Sequence, residues 1–172
     1  MIDSRLQLAL DGGGLEVPVE GTIAVFQPPR DADLPGLDKS RVQIIQDFKP
    51  DFDAWTARGY DVVRTVKGRY SACIVCLPRA KAEARVMIAK ACEVSDGVVV
   101  VDGQKTDGAD SILREMRARV TIQGPISKAH GKMFWISDPA ADFFVDWAQG
   151  PSLTEGGFWT APGVFSADGI DL

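Results

Sequence analysis

Residues 70–108, YSACIVCLPRAKAEARVMIAKACEVSDGVVVVDGQKTDG, read as strand, helix and strand, followed by a polar glycine loop that opens into another helix. Residues 72–77 and 98–101 are continuous apolar runs, the pattern of parallel strands covered on both faces rather than of a sheet with one wet side. Between them Ala84, Met87, Ile88, Ala91 and Cys92 recur at i, i+3, i+4, i+7 and i+8, while Lys81, Glu83, Arg85, Lys90 and Glu93 fall elsewhere. One apolar stripe therefore faces the sheet. The unit is a right-handed βαβ crossover within an α/β fold. Open α/β sheets bind ligands beyond the carboxyl ends of their strands, which directs attention to the loops at residues 78–81 and 102–107.

Working outward, residues 4–10 are expected to form a short helix capped by Ser4, ended by Gly12, Gly13 and Gly14, and packed across the sheet edge. Residues 22–26 and 41–45 are short β-rich runs, and residues 51–58 form a helix that starts after Pro50 and closes at Gly59. Residues 61–66 read as a third strand, separated from the next by residues 67–70 alone. Parallel neighbours need a crossover of about a dozen residues, so this strand either runs antiparallel or lies outside the sheet. Downstream, Ala109, Ile112, Leu113 and Met116 mark an amphipathic helix with Asp107 as N-cap and Asp110 and Arg114 as an i, i+4 pair. Residues 121–127 and 132–137 flank a hairpin-like return through Lys128, Ala129, His130 and Gly131, for six or seven strands in all.

A chain of 172 residues suffices for one domain with a real core and a tail, here residues 1–149 and 150–172. No run approaches the roughly 18 apolar residues of a membrane span, and the N-terminus lacks the apolar core of a signal peptide. A soluble, cytoplasmic chain without membrane contact is expected. The tail, GPSLTEGGFWTAPGVFSADGIDL, has the glycine and proline content of a linker, yet it crowds Phe158, Trp159, Val164 and Phe165 together. Leaving such side chains in water forgoes roughly 1.5–3 kcal/mol each. They are expected to pack on this domain or on a partner, with Phe158, Trp159 and Phe165 as candidates for an interface with a further domain.

The net charge of −5 is unevenly spread. Residues 1–57 hold 5 basic and 10 acidic side chains, residues 58–132 hold 14 and 8, and residues 133–172 hold 0 and 6. The basic middle is either a local anion-binding face or a solvated helix surface.

Several familiar chemistries are missing. Cys73 and Cys76 are spaced like a metal or redox pair, but three apart in a strand they face opposite sides and cannot chelate one ion. Together with Cys92 they read as buried free thiols. His130 is the only histidine and suits a turn or the neighbourhood of a phosphate. The loop at residues 102–108, DGQKTDG, is neither GxxxxGK[ST] nor GxGxxG. After the first strand the chain offers Gln27-Pro28-Pro29-Arg30, with no glycine and no clear helix before Arg41. A dinucleotide or S-adenosylmethionine site needs close backbone approach at a helix N-terminus there, so the usual cofactor site is expected to be absent.

With these residues in view, the chain resembles the N-terminal half of the bacterial small-subunit ribosomal RNA guanine-N2 methyltransferases, in which two methyltransferase-like domains stand in tandem. Leu77-Pro78-Arg79-Ala80-Lys81-Ala82-Glu83-Ala84 is similar to that family's proline, basic, Lys, Glu-Ala helix start. Residues 101–108 are similar to its polar loop after the fifth strand, and residues 128–135 to its last hairpin. The most specific match is residues 161–171, APGVFSADGID, which resembles the linker leading into the catalytic domain. The resemblance covers most of residues 70–171 and is faint before Gly59.

The resemblance implies a class I methyltransferase-like, Rossmann-like sheet of order 3-2-1-4-5-7-6, mostly parallel, with a C-terminal antiparallel hairpin and helices on both faces. It also implies a degenerate first domain, with S-adenosylmethionine and the catalytic Asn-Pro-Pro-Phe motif in a C-terminal domain beyond Leu172. Here the position after strand four reads Cys76-Leu77-Pro78-Arg79, without that asparagine. The leading expectation is a noncatalytic RNA-binding and scaffolding domain of an rRNA methyltransferase, with no catalytic, cofactor-binding or metal-binding residue of its own. Its partners would be ribosomal RNA or the small subunit and the second domain. The alternative is a self-sufficient α/β nucleotide-binding enzyme using the loop at residues 102–108, and a third reading is structural support alone. Arg79, Lys81, Lys105, Lys128 and Lys132 are the candidate RNA-phosphate contacts. An antiparallel last strand leaves open which edge carries Lys128 and Lys132.

Overall fold

The computed structural model describes residues 2–148. Seven strands form one sheet: β1 (Ile23–Phe26), β2 (Val42–Ile45), β3 (Asp61–Val63), β4 (Tyr70–Cys76), β5 (Ser95–Gln104), β6 (Gln123–Lys128) and β7 (Gly131–Ile136). Their spatial order is β3-β2-β1-β4-β5-β7-β6. The first five are mutually parallel, and β7 runs antiparallel to β5 and β6. Four helices cover the faces: α1 (Ile2–Leu10), α2 (Lys49–Ala57), α3 (Lys81–Val94) and α4 (Ala109–Arg117). Among the described residues no helix is long and apolar enough to cross a membrane.

Alternation along the central strands builds two cores. Cys73, Val75, Val99 and Val101 face α3 and α4, meeting the stripe Ala84, Met87, Ile88, Ala91 and Cys92 and, from α4, Ile112, Leu113 and Met116. Ala72, Ile74, Cys76, Val98 and Val100 face the other way, onto Ile2, Leu6 and Ala9 of α1 and Trp55 of α2. Cys73 and Cys76 thus lie on opposite faces. Burial pushes the Cys73 and Cys92 thiols up to about 12, and Cys76 well above its ordinary value. Since thiolate is the reactive form, all three thiols should resist a disulfide reagent in the native protein and react only on unfolding. Rapid labelling of native protein, followed by absorbance, would contradict this packing.

The third strand departs from both alternatives read from the sequence: it is parallel and belongs to the sheet, pairing with β2. The crossover rule does not apply, because β2 and β1 lie between β3 and β4. Residues 64–69 return as a bent strap without regular secondary structure, with Val63 and Val66 packed on the core beside α3. Tyr70 fastens its end, accepting from the Lys67 amide at 2.9 Å and donating to Gln43.

The β1–β2 crossover holds only a 3-10 turn at Lys39–Arg41. Instead of a helix, the first half of this loop is held by its neighbours: Trp55 Nε1 donates to the Pro28 carbonyl at 3.0 Å, and Arg58 Nη1 donates to the Arg30 and Ala32 carbonyls at 2.8 Å each. Three local expectations also shift. Helix α1 begins at Ile2, so Ser4 lies inside it rather than capping it. The N-cap of α4 is Gly108 at φ +82°, a left-handed conformation that glycine adopts without strain, while Asp107 belongs to the preceding 3-10 turn. Asp110 pairs with Lys132 on the hairpin, at 2.8 Å.

Candidate nucleic-acid interface

The carboxyl ends of β4 and β5 share one edge with the β6–β7 turn. Antiparallel pairing sets Gly131 opposite Gln104, so the turn emerges where β5 ends. The open question about Lys128 and Lys132 is thereby resolved in favour of this edge. Lys105, Lys128 and Lys132 line one cleft of about 460 Å3 with Ser127, His130, Gly131, Ala109 and Asp110. Lys132 holds Asp110 below its ordinary range through their hydrogen bond.

Arg79 and Lys81 stand at the same edge but on another side of α4. Arg79 is 87% exposed, with Nε 3.8 Å from Asp107. Lys81 reaches Ser111 and Glu115, and Glu115 also takes Arg85 at 3.0 Å. Burial works to raise Glu115, but the hydrogen bonds from Lys81 and Arg85 prevail and hold it low. Arg79 is therefore the freer cation of the two. Phe158, Trp159 and Phe165 lie outside the described residues.

Sequence reasoning overlooked Arg5. It occupies the buried stripe of α1 with Ile2, Leu6 and Ala9, and is 1% exposed. Its guanidinium forks onto Asp102, Nε to Oδ1 at 2.6 Å and Nη2 to Oδ2 at 2.9 Å. Nη2 also donates to Gln104 Oε1 and Nη1 to the Lys128 carbonyl, both at 2.8 Å. Burial pushes the Asp102 carboxyl up, and the Arg5 hydrogen bonds oppose that rise. A lone arginine at i+3 in an otherwise apolar stripe was the available signal. The loop at residues 102–108 thus has both Asp102 and Gln104 engaged by the chain's own N-terminal helix.

Sheet order and the antiparallel β7 define a class I methyltransferase-like, Rossmann-like fold. Among solved structures, the chain is similar to the T. thermophilus 16S rRNA N2 G1207 methyltransferase (RsmC) in complex with AdoMet and guanosine, with TM-score 0.68 and 20% identity over 99% of this chain and 48% of that one. A putative RNA methyltransferase from Pyrococcus horikoshii gives TM-score 0.51 and 16% identity over 79% and 83% of the two chains. A methyltransferase from Pyrococcus furiosus gives 0.55 and 9% over 81% and 85%. The chain spans about half the length of the first of these. No family model and no curated protein sequence matches it. At these identities the likeness establishes the fold.

The fold raises the question of S-adenosylmethionine, and the residues at the relevant corner do not fit it. After β1, Gln27 sits at φ +54° and its amide donates to the Ile45 carbonyl at 2.9 Å. Pro28 and Pro29 have no N–H, and no helix N-terminus follows to supply amides. The cavity between the ends of β1, β4 and β5 holds about 230 Å3 and is bordered by Ile2, Gln27, Pro29, Leu77 and Asp102. Ligand clefts usually span about 300–1,000 Å3.

Proposed function

We propose that this chain is a noncatalytic RNA-binding and scaffolding domain of an S-adenosylmethionine-dependent rRNA guanine-N2 methyltransferase. The observation that carries the reading is the convergence of Lys105, Lys128 and Lys132 on one cleft at the carboxyl edge, with Arg79 exposed at the same edge on another side of α4. Three ammonium groups around one cleft suit phosphates, which position a nucleic acid rather than specify its sequence. The fold neighbour RsmC, about twice as long, supports a tandem arrangement in which the cofactor and the chemistry belong to another domain. Residues 150–172 are proposed as the linker toward that domain, with Phe158, Trp159 and Phe165 at the contact. In this reading the partners are ribosomal RNA or the small subunit, in the cytoplasm.

Equilibrium dialysis with S-adenosylmethionine and filter binding with small-subunit rRNA test this together. Salt-sensitive RNA binding without saturable cofactor binding is the expected result. Methyl transfer to that RNA by the purified chain, abolished by Asp102→Ala, would overturn the noncatalytic reading.

A further inference from the structure

We propose that Arg5 and Gln104 are positioning residues for the basic hairpin, a role that rests on the RNA-binding reading of the cleft. The β6–β7 turn places both central residues at positive φ, Ala129 at +53° and His130 at +62°. Asparagine and glycine adopt this conformation readily, whereas alanine does not. What holds the turn is the capture of three consecutive carbonyls from outside the hairpin. Arg5 Nη1 donates to Lys128 at 2.8 Å, Gln104 Nε2 to Ala129 at 3.1 Å, and the Lys105 amide to His130 at 2.8 Å. Gln104 in turn accepts from Arg5 Nη2, and Arg5 is fixed to Asp102 at the end of β5.

The packing leaves little latitude. A Cβ on Gly131 would come within 2.4 Å of Arg5 Nη1 and 2.7 Å of the Gly103 carbonyl, so the guanidinium lies where any larger residue would place its first carbon. The N-terminal helix thereby sets the geometry of a turn more than a hundred residues away along the chain. Lys128, His130 and Lys132 are presented to the cleft in a conformation paid for by folding, and RNA binding then orders fewer degrees of freedom.

A double-mutant cycle on the 172-residue chain tests the role. Gln104→Leu removes the Ala129 clamp and leaves the Arg5–Asp102 pair intact. Binding of a short fluorescent RNA stem-loop at fixed salt should weaken by about three- to tenfold, as expected for residues sharing one hydrogen-bond network. The melting temperature should stay close to that of the unmodified chain, and the turn amides should exchange faster with solvent. In a Lys128→Ala/Lys132→Ala background the same substitution should have no further effect, because the hairpin then carries no lysine to position. An equal loss in both backgrounds, or no loss in either, overturns the positioning role while leaving the RNA reading intact. Unchanged affinity and salt dependence in Lys128→Ala/Lys132→Ala alone would instead defeat the RNA reading of the cleft, and this proposal with it. Should Gln104→Leu fail to fold, Gln104→Asn, which keeps the amide but shortens its reach, is judged by the same criteria.

Discussion

Arg5→Met lowers the stability of the chain by about 3–5 kcal/mol, the usual consequence of removing one partner from a buried ion pair. Chemical denaturation should show it as a fall in midpoint at unchanged m. The cause is less the loss of the four hydrogen bonds from Arg5 than what remains: Asp102, 4% exposed, keeps its charge with no counterion, and the Lys128 carbonyl loses its donor. Burial already pushes Asp102 up, and without Arg5 nothing comparable opposes it. In the variant the folded carboxyl therefore titrates further above its unfolded value. The native state holds the extra proton between the two values, so stability falls as pH rises through that window. The deficit should accordingly be small in acid and fully developed at neutral pH, and Arg5→Met/Asp102→Leu should recover much of it by removing the orphaned charge. A deficit below about 1 kcal/mol at neutral pH would mean that the pair is solvated rather than buried, since exposed pairs contribute about that little.

The parts of this fold that could be read from the sequence are those in which one residue pattern allows one environment. Residues 72–77 and 98–101 are apolar at every position, and their shortness, with the β-branched run at 98–101, favours strands covered on both faces; both prove central. The stripe from Ala84 to Cys92 was equally plain, because the helical period separates it from its charged neighbours. What resisted reading was set by contacts between distant segments. The strap at residues 64–69 contains no pattern that announces its path; its course depends on β1 and β2 occupying the space between β3 and β4. Asp107 met the sequence rule for an N-cap, yet Gly108 takes that place because the chain enters α4 through a left-handed residue.

The same distinction runs through the candidate site. Loops after β4 and β5 belong at the carboxyl edge in any parallel sheet, so Arg79, Lys81 and Lys105 could be placed in advance. Lys128 and Lys132 could not, because the edge at which their hairpin turns depends on the pairing of β7 with β5. That Lys81 is paired with Glu115, which it shares with Arg85, depends on the approach of α3 to α4, which local sequence does not encode.

Replacing Lys105, Lys128 and Lys132 together with alanine should flatten the dependence of log K on log salt for RNA by up to about two to three units, at roughly −0.7 per phosphate contact on single strands and −0.9 on duplex. The full value requires Lys132 to leave Asp110, 2.8 Å away. Across a fourfold rise in salt, the advantage of the unmodified chain over the variant then shrinks by up to about 20- to 40-fold. The five candidates are unequal in this respect. Arg79 is solvent-exposed and its Nε comes no closer than 3.8 Å to the Asp107 carboxylate, so it can turn to a phosphate at little cost. Lys81 must first leave Glu115, which keeps Arg85 as a partner. Arg79→Ala should therefore flatten the slope by a little under one unit, and Lys81→Ala by distinctly less. Sequence preference should be the same in every variant, because groups that meet phosphates position a nucleic acid without reading its bases. Should the triple variant keep the slope of the unmodified chain, the lysines of the cleft would be ordinary solvated charges, and the interface would have to be sought on another face.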